Sequence, residues 1–423
     1  MLSGFRMRKK CESSLEGSVR KSGGKVRITA QLINASDGSH LWAQNYDRAL
    51  KDIFKIQDEV SQIIAESLQV AVGNQIIDTA QKTQPNNIEA YDYYLKAKHA
   101  YYYKFYVSMA EKDWAEALHY AEKSIEIDPQ YALGHAIISR LYVEKFFSLT
   151  NNQNDLLEAE HYANLAYKLG PNIPESLRAM QNSLLMKHDF DQSFYFSKKL
   201  IEVNPNDFEN YYLLEWFYVI VGMPHDQIKY ATRAIELNPL YYDVYSDRAF
   251  GDLSIGDKEN FIRDVRLCLS IQPDAMKGKV FFAYYFLWIN DLQNADKYLT
   301  ELEQRISAEK TPQERWTYWN DAAKTLRAIY RARLGKEDQA LSIAKSLPIY
   351  FTIWIYAELG MAHEAVQMLQ KSLKTSTYDS YPNYEFLSQS SFYENIRNHP
   401  EFQQLLRQQK IIYDEMIRKY RIQ

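Results

Sequence analysis

The chain has 423 residues, 46% of them apolar and 25% charged, an ordinary globular balance that permits about two to three packed domains. Its net charge is −4, without the basic excess a duplex-binding surface needs, so no nucleic-acid partner is expected. Gly (14) and Pro (12) are both scarce, which excludes a fold built on many tight turns and favours long helices.

Residues 1–14 carry Arg6, Arg8, Lys9 and Lys10 and show no structural period; with Arg20, Lys21, Lys25 and Arg27 they read as a solvated basic start. No apolar signal-peptide core follows Lys10. Val26, Ile28, Ala30 and Leu32 then alternate with Arg27, Thr29 and Gln31, the period of a half-buried strand. Ser22-Gly23-Gly24 and Asp37-Gly38 mark turns on either side, so the runs 15–20 and 41–46 complete a three-stranded meander. Ile53, Ile56, Val60, Ile63, Ile64 and Leu68 share one face of a following helix. A small α/β domain is thus expected over 15–80. It is incomplete as a unit, because one helix covers one sheet face and an edge strand stays unpaired. The polar stretch QKTQPNN leads into a linker over 81–88.

From residue 89 the period changes. Pro171, Pro205, Pro239 and Pro273 recur every 34 residues, the signature of tetratricopeptide repeats. Twelve, eight and five residues before each proline stand the small or apolar residues that two closely crossing helices need. They are Ala159/Ala163/Ala166, Ser193/Ser197/Leu200, Gln227/Ala231/Ala234 and Phe261/Val265/Cys268. An earlier unit ends at Pro129 with Ala117/Ala121/Ser124, and an eight-residue insertion around 147–154 separates it from the next. Gly222 and Gly256 lie seventeen residues before their prolines, where the hairpins turn. Beyond Pro273 the pattern loosens to Ala295/Leu299/Leu302, then Gly335 with Ala340/Ala344 and Gly360 with Ala365/Leu369. Phe402, Leu405, Leu406, Ile412, Met416 and Tyr420 form a final amphipathic helix, expected within 375–423 as the cap of the solenoid over 89–374. The expected fold is therefore mainly α, a tetratricopeptide-repeat superhelix preceded by the small α/β domain.

Residues 15–68, in particular LEGSVRKSGGKVRITAQL, LWAQNYDR and DIFKIQDEV, resemble the second half of the TolB-like region of bacterial signalling proteins that carry tetratricopeptide repeats. The insertion-bearing repeat after IDPQYALGHA and the closing FLSQSSFYENIRNHPEFQQLL fit the same layout, so the likeness runs nearly from Leu15 to the end. The resemblance implies an upstream effector: a winged-helix, nucleotide cyclase or protein kinase domain. MLSGFRMRKKCESS matches nothing expected there, and the chain reads as the carboxy-terminal part of such a protein or a truncated reading frame.

No catalytic constellation stands out, and the chain is not expected to be an enzyme. The nine His residues are scattered without HExxH or Cys-linked spacing, Gly23-Gly24 lacks a phosphate-binding continuation, and no GxSxG or kinase motif is present. No cofactor or metal is expected. Cys11 and Cys268 are far apart, and Cys268 fills a packing slot. The longest apolar runs, 211–223 and 280–289, fall short of the about 20 residues that span a bilayer.

The functional expectation rests on the concave face, lined by each first helix. Register places Arg178, Asn182, Tyr212, Trp216, Phe250, Tyr284 and Trp288 there, and Tyr, Trp and Arg dominate interface energetics. The 34 tyrosines suit surfaces that are part core and part binding site. A scaffold or regulatory module binding a protein, peptide or helix in this groove is expected; the alternative is the sensory region of a nucleotide cyclase or other signalling enzyme. The expected compartment is the cytoplasm, or the periplasm where a membrane helix precedes the TolB-like part. The pattern fixes no oligomeric state.

Overall fold

The computed structural model describes residues 13–22, 25–34, 37–49, 59–60, 63, 87–105, 109–308, 314–375 and 383–422. It divides into two compact units, Met1–Asp92 and Tyr93–Gln423.

In the first unit, strands β1 (Ser13–Ser22), β2 (Lys25–Asn34) and β3 (His40–Ala49) form an antiparallel meander in that order. The alternation works as the sequence implies. Val26, Ala30, Leu32 and Tyr46 are buried on one face, with Ile28, Trp42 and Val60 packed around Val26 and Tyr46. The other face carries directly opposed polar pairs: Arg27 Nε donates to Asp47 at 2.7 Å, and Thr29 Oγ1 to Asn45 at 2.7 Å. Asp37 turns the chain by accepting from Ser39 N at 2.9 Å, and Gly38 follows at φ +73. Of the helix expected over 53–68 only Glu59, Val60 and Ile63 are described, and they are helical; Cys11 and the rest of that helix lie outside the described residues.

The second unit is helical. Eight consecutive pairs run α1 (Ile88–Ala100), α2 (Glu111–Ile127), α3 (Ala132–Lys145), α4 (Gln153–Leu169), α5 (Pro174–Met186), α6 (Phe190–Val203), α7 (Phe208–Val221), α8 (Pro224–Leu237), α9 (Tyr242–Ser254), α10 (Lys258–Ile271), α11 (Met276–Trp288), α12 (Leu292–Ser307), α13 (Glu314–Arg333), α14 (Glu337–Ala344), α15 (Ile349–Glu358) and α16 (Ala362–Thr375). Starts are set by carboxylate caps: Asp189, Asp257 and Asp291 accept from the backbone N–H three residues on, Asp207 from the one two residues on. Pro174 and Pro224 open α5 and α8, where a missing N–H costs nothing. Gly222 and Gly256 turn two hairpins at φ +74 and +76.

The fifteen packing positions read from the five registered units are all at most 2% exposed, Cys268 among them. Small side chains there let helix axes approach, and buried hydroxyls and amides bridge neighbouring helices. Ser139 Oγ donates to Ala159 O at 2.7 Å, and Asn210 Nδ2 to Leu200 O at 3.0 Å. A second regularity was hidden in the sequence: six residues after three of the prolines, a ring reaches back to the proline carbonyl. Tyr211 and Tyr245 donate to Pro205 and Pro239 at 3.0 Å each, and His135 Nε2 sits 2.9 Å from Pro129 O.

The insertion lengthens α3 by a π-helical turn, Phe146–Thr150, ended by Asn151 at φ +49. That turn touches α13. Two short elements follow α16, α17 (Tyr384–Gln389) and the 3₁₀ turn Ser391–Ile396, and then α18 (Pro400–Tyr420). Where the sequence suggests a terminal cap, α18 does more. Phe402, Leu405 and Leu406 are buried in its first half, beside α16. Its 21 residues span roughly 30 Å, enough for Tyr420 to reach Asp191 on α6 at 2.8 Å. Among the described residues no helix is long and apolar enough to cross a membrane.

Candidate functional site

The first helices α1, α3, α5 and α7 together line one cleft. Its walls include Tyr94, Lys98, Tyr101, Tyr102, Arg140, Arg178, Asn182 and Glu209. Two of these, Arg178 and Asn182, are expected from sequence, seven and eleven residues after Pro171. Arg140 stands eleven after Pro129, in the register of Asn182. The eleven-residue offset from the repeat proline is thus the sequence signal for Arg140.

Glu209 is the hub. Arg140 Nη1 donates to its Oε1 at 2.6 Å and Arg178 Nη1 lies 3.2 Å from its Oε2. Arg178 also bonds Asp207, and its Nε and Nη2 reach Asn210 Oδ1 at 3.2 and 3.0 Å. Arg140 Nε donates to Tyr101 OH at 3.0 Å, and that hydroxyl donates to Glu144 at 2.8 Å. The Arg140 guanidinium lies 5.0 and 5.4 Å from the Tyr101 and Tyr102 ring centres, a cation–π placement. Burial alone would push the Glu209 carboxyl up; the charges of Arg140 and Arg178 outweigh it and bring its pKa down to about 2. The cleft is thus a fixed array of ionised groups, with Asn182 half-buried beside it. Its free volume is about 60 Å³, well below the about 300 to 1,000 Å³ of small-molecule sites.

Next along the array, Tyr212 and Trp216 on α7 are half-buried, with ring centres 6.2 Å apart and edge to face. Trp216 meets Phe147 of the insertion at 6.4 Å, and Tyr212 meets Tyr241 at 5.5 Å. The remaining three expected groove residues lie elsewhere. Phe250 is half-buried, 6.0 Å from Phe386 of the C-terminal segment. Tyr284 is 3% exposed, its OH 2.9 Å from Ser391 Oγ and its ring 4.5 Å from Phe392. Trp288 is 7% exposed and packs against α10 of the preceding hairpin, 5.5 Å from Phe261. Tyr284 and Trp288 are therefore core residues and not open groove residues. Distant chain covers the face at Tyr284, and the Trp288 ring is buried between α11 and α10.

Beyond the cleft, two buried carboxyls stand out. Burial and then the Asp247 charge push Glu215 well above its ordinary value. Burial and then the Asp264 charge push Asp252 up to about 7, and its Oδ2 finds no hydrogen-bond partner among the described residues.

No family model matches the chain. Over 137 residues, 32% of this chain and 22% of the other, the sequence is 34% identical to a protein named putative adenylate cyclase 3 from Rhizobium meliloti (strain 1021). The chain spans about a fifth of the length of this curated relative. Among solved structures it is similar to PilW, described as a type IV pilus biogenesis factor, at 15% identity over 56% of this chain and 98% of that one, with a TM-score of 0.41. A tetratricopeptide repeat protein from Parabacteroides merdae is similar at 14% identity over 62% of this chain and 92% of that one, with a TM-score of 0.40. YrrB, described as a tetratricopeptide repeat protein with an unusual peptide-binding site, is similar at 15% identity over 43% of this chain and 90% of that one, with a TM-score of 0.32. On its own geometry, the chain is a mainly α tetratricopeptide-type superhelix that follows, in sequence, a three-stranded antiparallel sheet.

Proposed function

We propose that the chain is a protein-interaction scaffold that takes a peptide or helix in the cleft between α1 and α7. The observation that carries this reading is the alignment of Arg140 on α3 with Arg178 and Asn182 on α5, two successive first helices, continued on α7 by the half-buried rings of Tyr212 and Trp216. Fixed charges give register to an extended partner, and the aromatic step gives it an anchor. The small free volume favours a partner lying along the cleft over a ligand sinking into it. The reading assigns no catalysis to this chain.

In the same proposal residues 15–80 are the partial TolB-like domain, 81–88 the linker, 89–374 the repeat solenoid and 375–423 its closing segment, the whole serving a bacterial signalling or transcription-regulating protein. A second reading, the sensory region of a nucleotide cyclase, is favoured by the partial likeness to the cyclase-named Rhizobium protein. It shares the cleft and differs only in what the bound signal controls.

The test is selection of peptides from a displayed library on the full chain, followed by affinity measurement on Asn182→Ala with Trp216→Ala. Both side chains are half-buried, so helicity by circular dichroism is expected to persist. Selected peptides should bind the double variant about tenfold or more weaker, as loss of an interface anchor implies. Equal affinity for both proteins would overturn the cleft assignment.

A further inference from the structure

The downstream part of the first-helix face is not open, and its occupant is the chain itself. Asn383 sits against the α7–α8 turn, where a Cβ added to Gly222 would lie 2.5 Å from the Asn383 Cβ. Gln389 lies against the α9–α10 turn at Gly256. Between and beyond these points two phenyl rings are seated. Phe386 lies 6.0 Å from Phe250 and 6.2 Å from Trp354. Phe392 stacks on Trp354 at 4.1 Å and 11°, and on Tyr284 at 4.5 Å. Polar contacts fix the direction of the run: Ser391 Oγ with Tyr284 OH, and Asn395 Nδ2 donating to Glu358 O at 2.5 Å.

The seats belong to α9, α11 and α15, more than a hundred residues from Phe386 in two of the three cases. The occupant is one turn and a half of helix followed by a 3₁₀ turn, a form that buries anchors in a groove made by other helices. Its return leg is tied down far upstream. Lys419 Nζ and Tyr420 OH bond Asp191 at 2.7 and 2.8 Å, and Tyr218 OH donates to Tyr420 O at 2.8 Å.

We propose that residues 383–397 are an intramolecular ligand of the downstream groove, held by Phe386 and Phe392, so that this face accepts in trans only a segment of the same two-phenyl chemistry, and only when the cis copy is released. A tethered segment meets its seat at an effective concentration of about millimolar, so an incoming copy at micromolar concentration cannot compete. This inference does not depend on the upstream cleft, and its test reads the downstream face alone.

The probe is a fluorescent synthetic peptide of residues 383–397, added at micromolar concentration to the full chain. Wild type is expected to show no binding. Phe386→Ala with Phe392→Ala should bind the peptide at least about tenfold tighter than wild type, and adding Trp354→Ala should abolish that gain. Hydrogen exchange on the unaltered chain supplies a second measurement: the amides of 384–396 should open as a unit while 276–288 and 349–358 stay protected. Equal peptide binding by wild type and variant would overturn the proposal. So would a folded variant that ignores the peptide. Loss of cooperative melting in the variant, or exchange of 384–396 only together with the helices beneath it, would make the segment part of the core and overturn it equally.

Discussion

Replacing Asp252 with Asn should remove a pH dependence built into α9. Asp252 is 3% exposed, and burial followed by the Asp264 charge raises its pKa from 3.8 to about 7. A carboxyl with a raised folded pKa holds its proton more tightly in the native state than in the unfolded one. Its effect on stability is therefore absent below about pH 4. The destabilisation grows as pH rises and is complete above pH 7, where the native carboxylate is ionised. The shift is about three units, each worth about 1.4 kcal/mol, which sets a ceiling of about 4 kcal/mol; local relaxation reduces it to about 1–4 kcal/mol. Asn keeps the shape and cannot ionise. Thermal unfolding followed by circular dichroism at pH 5, 6.5 and 8 should show the variant gaining over wild type as pH rises, with the largest difference at pH 8. A difference independent of pH, or a loss at pH 8, would refute the burial argument.

Glu209→Gln should destabilise by about 1–3 kcal/mol, because it leaves Arg140 and Arg178 part-buried beside a neutral amide. Glu209 has a depressed pKa, about 2 against 4.5, so its contribution is present above pH 4.5 and fades as pH falls towards 2. Acid titration of wild type and variant should converge at the low end, and a constant gap would contradict the assignment. Gly222→Ala should cost about 1–3 kcal/mol, since φ is +74 and the new methyl meets Asn383. Its thermal midpoint should fall, and exchange across 383–397 should quicken; a change in neither would remove Gly222 from both roles.

The repeat array was legible because its determinants are local. Pro171, Pro205, Pro239 and Pro273 and the small residues before them each report only on a hairpin and its neighbour, and nearest-neighbour packing is all a solenoid needs. The concave register rests on the same local period, and two of the residues it names, Arg178 and Asn182, line the cleft. Arg140 carried the same signal but stood next to the insertion. Glu209, by contrast, is an ordinary first-turn acid in sequence, and only the approach of α3 and α5 makes it a hub. The closing segment was the least legible part. Phe386 and Phe392 look like the apolar half of a terminal cap, and nothing periodic links them to Phe250, Tyr284 or Trp354. A contact between Tyr218 and Tyr420, 202 residues apart, leaves no trace in a pattern that repeats every 34 residues. Hence Tyr284 was expected in an open groove and lies beneath the chain's own C-terminal segment.

The most direct test of the scaffold account is hydrogen exchange on the full chain with and without a library-selected peptide. Protection is expected in the segments bearing Lys98 to Tyr102, Arg140, and Arg178 to Asn182, with residues 384–396 unchanged. Protection confined to the downstream helices, or none along α1, α3 and α5, would contradict it.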